Sequence, residues 1–187
     1  MSDQEVKSCD ICKNRPECEM WGPRRQDCPK FELESQQWIL TDLDGTLCPF
    51  CLPSQGAPIS LEEKCLRLIN VEAYECQTAL QALRDQGYRI LIATGRASSE
   101  YGDITVEWLK DWEIPYDALM MLTTPWQSKH IYYFHKFCIL DSFRPALVID
   151  DDFPILLAAH QKGYETKFIT SHYSWEHPIN INTKGAI

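Results

Sequence analysis

Apolar residues recur along the middle of the chain in two alternating rhythms. Short continuous runs, such as Trp38-Ile39-Leu40-Thr41, Arg89-Ile90-Leu91-Ile92-Ala93, Ala118 to Leu122 and Ala146-Leu147-Val148-Ile149, have the length and content of strands covered on both faces. Between them lie stretches of helical period. Ser60, with Glu63 three residues on, makes a capping-box pattern that opens the first. A longer helix follows, with Ala73, Cys76, Leu80 and Leu83 on one face and Gly87 at its end. Further helices are predicted over Ile104 to Trp112, Ser128 to Leu140 and Ile155 to Gln161, the last stopped by Gly163. Lys167-Phe168-Ile169 reads as a final strand. Strands alternating with helices predict an α/β fold, a doubly wound parallel five-stranded sheet with crossover helices.

The flanks depart from this rhythm. Residues 1–34 are rich in Cys, Pro and charge without a clear period, and residues 171–187 are polar and read as a loosely structured tail. The chain is therefore expected to carry a Cys-rich segment over 1–34, a catalytic-type domain over 35–170 and a tail over 171–187. A hydrophobic content of 44% over 187 residues supports a folded globule. No apolar run reaches membrane-spanning length, and the polar, acidic start has neither the basic beginning nor the apolar centre of a secretory signal. A soluble cytoplasmic protein without membrane contact is the expectation. A net charge of −9 advertises no general polyanion-binding surface. If nucleic acid is the substrate, a few contacts near the scissile phosphate must carry the binding.

Chemistry concentrates where strands end, the place where open α/β sheets bind ligands. The first strand runs into Asp42-Leu43-Asp44-Gly45-Thr46, the second into Thr94-Gly95-Arg96, and the fourth into Asp150-Asp151-Asp152. Acids able to hold a hard divalent cation, beside donors able to neutralise phosphate oxygens, form a coherent phosphate site. A carboxylate attacking phosphate meets charge repulsion, which a metal and a lysine would relieve. Magnesium suits a site with few carboxylates and several retained waters. Asp44 can reach back over the loop as general acid and base, and Gly45 permits the tight turn. Asp152 is expected to cap the helix that follows it. Trp108 and Trp112 fall at helical spacing and read as core, whereas Trp126 is the better stacking candidate.

Asp42-Leu43-Asp44-Gly45-Thr46 resembles the DxDGT signature of haloacid dehalogenase (HAD) phosphatases, with Thr94, Lys129 and Asp150-Asp151 resembling that family's later motifs in order. The resemblance implies a magnesium-dependent phosphoric monoester hydrolase in which Asp42 becomes the aspartyl-phosphate. Asp44 would protonate the leaving group and then activate water. Magnesium would be held by the Asp42 carboxylate, the Asp44 carbonyl and Asp150, with Asp151 assisting. Thr94 and Lys129 would bind phosphate. Lys129 and Lys136 compete for the lysine role; Lys129, at the start of its helix, is favoured, since Lys136 lies about two turns further on.

A narrower resemblance is to the phosphatase domain of polynucleotide kinase-phosphatases. It rests on Thr94-Gly95-Arg96-Ala97-Ser98-Ser99-Glu100, on the helix with Trp108, Leu109 and Trp112, and on Ile131 to Lys136 leading to Asp150-Asp151. It implies that Arg96 contacts phosphate. The short stretch between Thr46 and Thr94 leaves no room for a large cap, so the site is expected to be open to a nucleotide or a phosphorylated nucleic-acid end. The chain departs from that family in having no glycine-rich Walker loop, and the loop from Leu47 to Ile59 lacks an arginine that the phage member carries there. A phosphatase of sugar phosphates is the alternative within enzymes. A non-catalytic HAD-like adaptor is the alternative outside them, although such an adaptor has no need of both Asp42 and Asp44.

Nine cysteines remain to be placed, and without an export signal they read as thiols or metal ligands rather than disulfides. Cys9, Cys12, Cys18 and Cys28 can close a tetrahedral zinc site, a staple that suits a short segment without a core. An iron–sulfur cluster and unliganded thiols are the alternatives. Cys48 and Cys51 form a second C-x-x-C pair beside the nucleophile, read as ordinary cysteines, with a metal half-site or a redox pair as the alternatives.

Overall fold

The computed structural model describes residues 37–50, 60–123, 125, 128–169 and 175. The chain divides into two compact units, Met1–Gln37 and Trp38–Ile187. All described elements belong to the second. The proposed zinc ligands Cys9, Cys12, Cys18 and Cys28, together with Cys51 and Trp126, lie outside the described residues.

Five strands, β1 (Trp38–Thr41), β2 (Arg89–Ala97), β3 (Ala118–Leu122), β4 (Leu147–Asp150) and β5 (Glu165–Phe168), form one parallel sheet in the order β3-β2-β1-β4-β5. Five helices connect them: α1 (Leu61–Ile69) and α2 (Gln77–Asp85) after β1, α3 (Ser98–Asp111) after β2, α4 (Lys129–Phe143) after β3, and α5 (Phe153–Gln161) after β4. Successive strands first move from β1 towards β3, then the chain crosses back to β4 on the other side of β1. The direction reverses between β1 and β4, and in open α/β sheets ligands bind at such a switch point, beyond the carboxyl ends of the strands.

Alternation along each strand divides the core between the two faces of the sheet. Ile39, Ile90, Ile92, Leu147 and Ile149 pack with Leu80 and Leu83 of α2 and with Trp108 and Leu109 of α3. Trp38, Leu40, Leu91, Ala93 and Val148 pack with Ile139 and Leu140 of α4 and with Ile155, Leu156 and Ala159 of α5. Both faces are dry, which is why these strands read as unbroken apolar runs. Trp108 is a core residue as expected, fully buried, with its indole N–H donated to the Val71 carbonyl at 2.8 Å. Truncating a buried side chain of this kind costs about 3–5 kcal/mol.

Several boundaries differ from those expected, each for a local reason. The Ser60 hydroxyl does cap α1, accepting from the Glu63 N–H at 3.1 Å, but the Glu63 carboxylate turns to Arg67. Helix α2 starts at Gln77 rather than near Ala73, because the Tyr74 N–H is donated to the Leu47 carbonyl instead of to a helical turn. Strand β2 continues through Thr94-Gly95-Arg96 to Ala97, with a register shift against β3 between Thr94 and Ala97, and α3 begins at once at Ser98. Trp175, in the expected loose tail, is buried and donates its indole N–H to the Thr46 carbonyl at 2.9 Å.

Candidate active site

The ladder between β1 and β4 runs one residue past the strand, with the Asp42 N–H donated to the Ile149 carbonyl at 2.9 Å. This bond sets Asp42 beside Asp150, the last residue of β4. The chain then turns sharply: the Leu43 carbonyl accepts from the N–H groups of Thr46, Leu47 and Cys48, while Leu43 and Leu47 are buried in the core. Asp42 and Asp44 flank the buried Leu43. Gly45 has φ of +93°, and a Cβ there would lie 2.2 Å from Asp151 Oδ2, so both its backbone angle and its contact require glycine.

Three carboxylates converge at this point. Oxygen atoms of Asp42, Asp150 and Asp151 lie within 4.8 Å of one another, the one such group among the described residues. Asp42 and Asp150 are buried, and Asp151 is partly so. The Thr46 hydroxyl donates to Asp151 Oδ1 at 3.4 Å, and the Asp152 N–H donates to Asp150 Oδ1 at 2.8 Å. Three hard oxygen donors fit a divalent cation such as magnesium, and buried negative charge at this density needs a cation. Burial, and next the neighbouring Asp150, raises the Asp151 carboxyl to about 6. Burial also holds Asp42 well above the usual carboxylate range, against the opposing pull of Lys136.

The cation that the chain itself supplies is Lys136. Its ammonium group donates to Asp42 Oδ1 and, at 3.1 Å, to Asp150 Oδ2, and the side chain is fully buried. Burial acts to lower the Lys136 pKa, but Asp150 and Asp42 outweigh it and hold the group well above the ordinary lysine value. The preference for Lys129 is thereby reversed in geometry: Lys129 is exposed at the first turn of α4, and Lys136 is the lysine at Asp42. Distance along the helix misled because the second turn of α4, not its start, lies against the ends of β1 and β4. A signal was present in the sequence. Lys136 falls on the same helical stripe as Ile139, Leu140 and Phe143, and a lysine on a buried stripe needs an acidic partner. One turn earlier on that stripe, the Tyr132 ring stands 5.6 Å from the ammonium and covers Gly95, where a Cβ would come within 2.9 Å of it.

Asp44 belongs to a second cluster. Arg96 grips it, with Nε at 2.9 Å from Oδ2 and Nη2 at 2.6 Å from Oδ1. The Arg96 side chain is 1% exposed and that of Asp44 13%. The Thr94 hydroxyl lies 3.5 Å from Asp44 Oδ2 and accepts from the Arg96 N–H at 3.2 Å. Arg96 Nη1 donates to the Thr105 hydroxyl at 3.2 Å, and Nη2 also approaches the sulfur of Cys48. Asp42, Asp44, Thr94, Gly95, Arg96, Asp150 and Asp151 are thus brought together, and Lys129 is not. Asp152 takes the N-cap position of α5, but its side chain makes no capping bond. Cys48, Cys65, Cys76 and Cys138 form no disulfide. Thr105 and Tyr132 are the side chains that reasoning from motifs does not single out; Lys136 is weighed by it and set second to Lys129.

No family model matches the chain, and no curated protein matches it. Solved structures do. A chain of the Pnkp1/Rnl/Hen1 complex superposes with a TM-score of 0.57 at 18% identity, covering 73% of this chain and 47% of that one. A chain of the Pnkp1/Rnl/Hen1 RNA repair complex gives 0.55 at 20% identity, covering 73% and 43%. A haloacid dehalogenase-like family hydrolase from Streptococcus pneumoniae gives 0.47 at 16% identity, covering 77% and 92%. This chain spans less than half the length of the two complex-derived chains. Likeness at such identity speaks to the fold. With the parallel sheet order, the two complex-derived chains show that the domain shares their α/β fold.

Proposed function

We propose that this protein is a magnesium-dependent phosphomonoesterase that works through an aspartyl-phosphate on Asp42. One observation carries the reading: Lys136 bridges Asp42 and Asp150, with Asp151 beside them, while Asp44, across the loop, is held separately by Arg96 and Thr94. The two acids of one short motif therefore have different surroundings and different tasks. Magnesium held by the Asp42 and Asp150 carboxylates, with the Asp44 carbonyl and Asp151 assisting, would offset the negative charge of the incoming phosphate. An Asp42 carboxylate oxygen attacks phosphorus, and the ester P–O bond breaks as Asp44 gives its proton to the departing oxygen. Asp44 next takes a proton from water, which attacks phosphorus and breaks the bond to Asp42, releasing phosphate. Lys136 keeps Asp42 and Asp150 from repelling one another throughout. The Thr94 hydroxyl and the Gly95 backbone supply donors to the phosphate oxygens.

The substrate is proposed to be a nucleotide or a phosphorylated nucleic-acid end, with 3′-phosphate ends as the leading case. The likeness to chains from an RNA repair complex and the short connection between β1 and β2 support this. The test is phosphate release, with magnesium, from 3′- and 5′-phosphorylated oligonucleotides, mononucleotides and sugar phosphates, by the wild type and by Asp42→Asn. Release from nucleic-acid ends that Asp42→Asn abolishes is the expected result. Release that survives the substitution refutes the nucleophile, and a strong preference for sugar phosphates refutes the substrate.

A further inference from the structure

Thr105 lies on α3 one turn before Trp108, among the core residues Tyr101, Trp108 and Leu109, and is fully buried although it carries a hydroxyl. A buried hydroxyl is costly unless it is paired, and the pairing here is to a charged group. Thr105 Oγ1 accepts from Arg96 Nη1 at 3.2 Å, while Nε and Nη2 of the same guanidinium face Asp44. A guanidinium is flat and its donors point in fixed directions, so holding Nη1 from one side orients the two nitrogens that face Asp44. The backbone of Arg96 is fixed as well, through the Thr94 hydroxyl and at the point where β2 shifts register against β3.

We infer that Thr105 is a positioning residue for Asp44, acting through Arg96, and that Arg96 serves the proton-transferring carboxylate rather than the phosphate. The inference rests on the phosphatase reading above. It also gives α3, an element otherwise occupied with core packing, a part in proton transfer. A carboxyl that must place a proton on a departing oxygen and later collect one from water works only from a narrow set of positions. Two contacts from one guanidinium, itself held on its far side, keep Asp44 within that set.

The experiment compares Thr105→Val and Thr105→Ser on two esters, a simple alkyl phosphate and dinitrophenyl phosphate. The alkoxide needs a proton in order to leave, and the dinitrophenolate does not. Thr105→Val is expected to lower the single-turnover rate of leaving-group release, the step before water attacks, roughly tenfold on the alkyl ester, with less than about a twofold change on the activated ester. KM should stay near the wild-type value on both, and Thr105→Ser, which keeps the hydroxyl, should restore the alkyl rate. In an Asp44→Ala background, adding Thr105→Val should change nothing further. Equal losses on both esters, a loss carried by KM, or an additive loss in the Asp44→Ala background overturns the inference. If Thr105→Val fails to fold, Thr105→Ala and Thr105→Ser decide by the same comparison. Absence of Asp42-dependent hydrolysis in the wild type would sink the phosphatase reading itself, an outcome distinguishable from all of these.

Discussion

Replacing Lys136 with methionine keeps the length and the apolar stem of the side chain and removes the ammonium. In the wild type that ammonium bonds Asp42 and Asp150, both buried at the ends of adjacent central strands. Without it two buried carboxylates face each other with Asp151 close by. Breaking a buried pair from one side costs about 3–5 kcal/mol, because the remaining charge stays desolvated. At about 2–4 °C per kcal/mol for a domain of this size, the metal-free unfolding temperature should fall by roughly 6–20 °C. Magnesium should recover part of that loss, since it meets the same oxygens. The rate should not recover with it, because Asp42, the proposed nucleophile, loses the donor that aims it; kcat is expected to fall by on the order of 10²–10³. Lys129→Met is the control: Lys129 is exposed at the start of α4, and its loss should stay within about 0.5 kcal/mol. Thermal unfolding with and without magnesium, together with steady-state kinetics, measures both variants. Wild-type stability and kcat in Lys136→Met, with loss in Lys129→Met, would refute the assignment.

Two further outcomes follow from particular contacts. Burial raises the Cys76 thiol to about 12, above its unfolded value of 9.0, so the folded chain retains that proton more strongly. The contribution of this group to stability is therefore full below about pH 9 and falls as pH rises towards 12. In the folded protein at pH 9, Cys138, which is exposed, should be alkylated by iodoacetamide well before Cys76; equal rates by mass spectrometry would contradict the burial. Gly45→Ala forces a positive φ on a side-chain-bearing residue, at about 1–2 kcal/mol, and drives its Cβ into Asp151. Lower thermal stability and weaker magnesium-induced stabilisation are expected, and an unchanged response to magnesium would refute the contact.

The strands were legible because β1, β2 and β4 are covered on both faces, which leaves Ile39, Leu91 and Val148 no polar neighbours within each run. The end of β2 was not, since Thr94-Gly95-Arg96 is polar and resembles a loop; its polar groups are satisfied by Asp44, distant in sequence, and by Thr105 of the helix that follows. Asp42, Asp44, Asp150 and Asp151 could be read from their positions after apolar runs, because strand ends are where such sheets gather chemistry. Distance along its helix pointed away from Lys136, although its place on the apolar stripe marked it as a lysine in need of an acidic partner. Its burial depends on two carboxylates that arrive from β1 and β4, and only the tertiary fold brings them to it. Thr105 escaped for a similar reason. A threonine between apolar helix residues gives no sign that an arginine lies behind it.

The bond from Trp175 to the Thr46 carbonyl bears on the order in which the molecule is finished as it is made. The loop bearing both acids leaves the ribosome early, directly after the first strand. Its Thr46 carbonyl must wait for an indole that is synthesised only after the last strand of the sheet. Domains settle as their chains emerge, and here the piece that fastens the loop of Asp42 and Asp44 arrives late. A partly synthesised chain can include every strand of the sheet and still lack the indole that fastens the loop of the two acids.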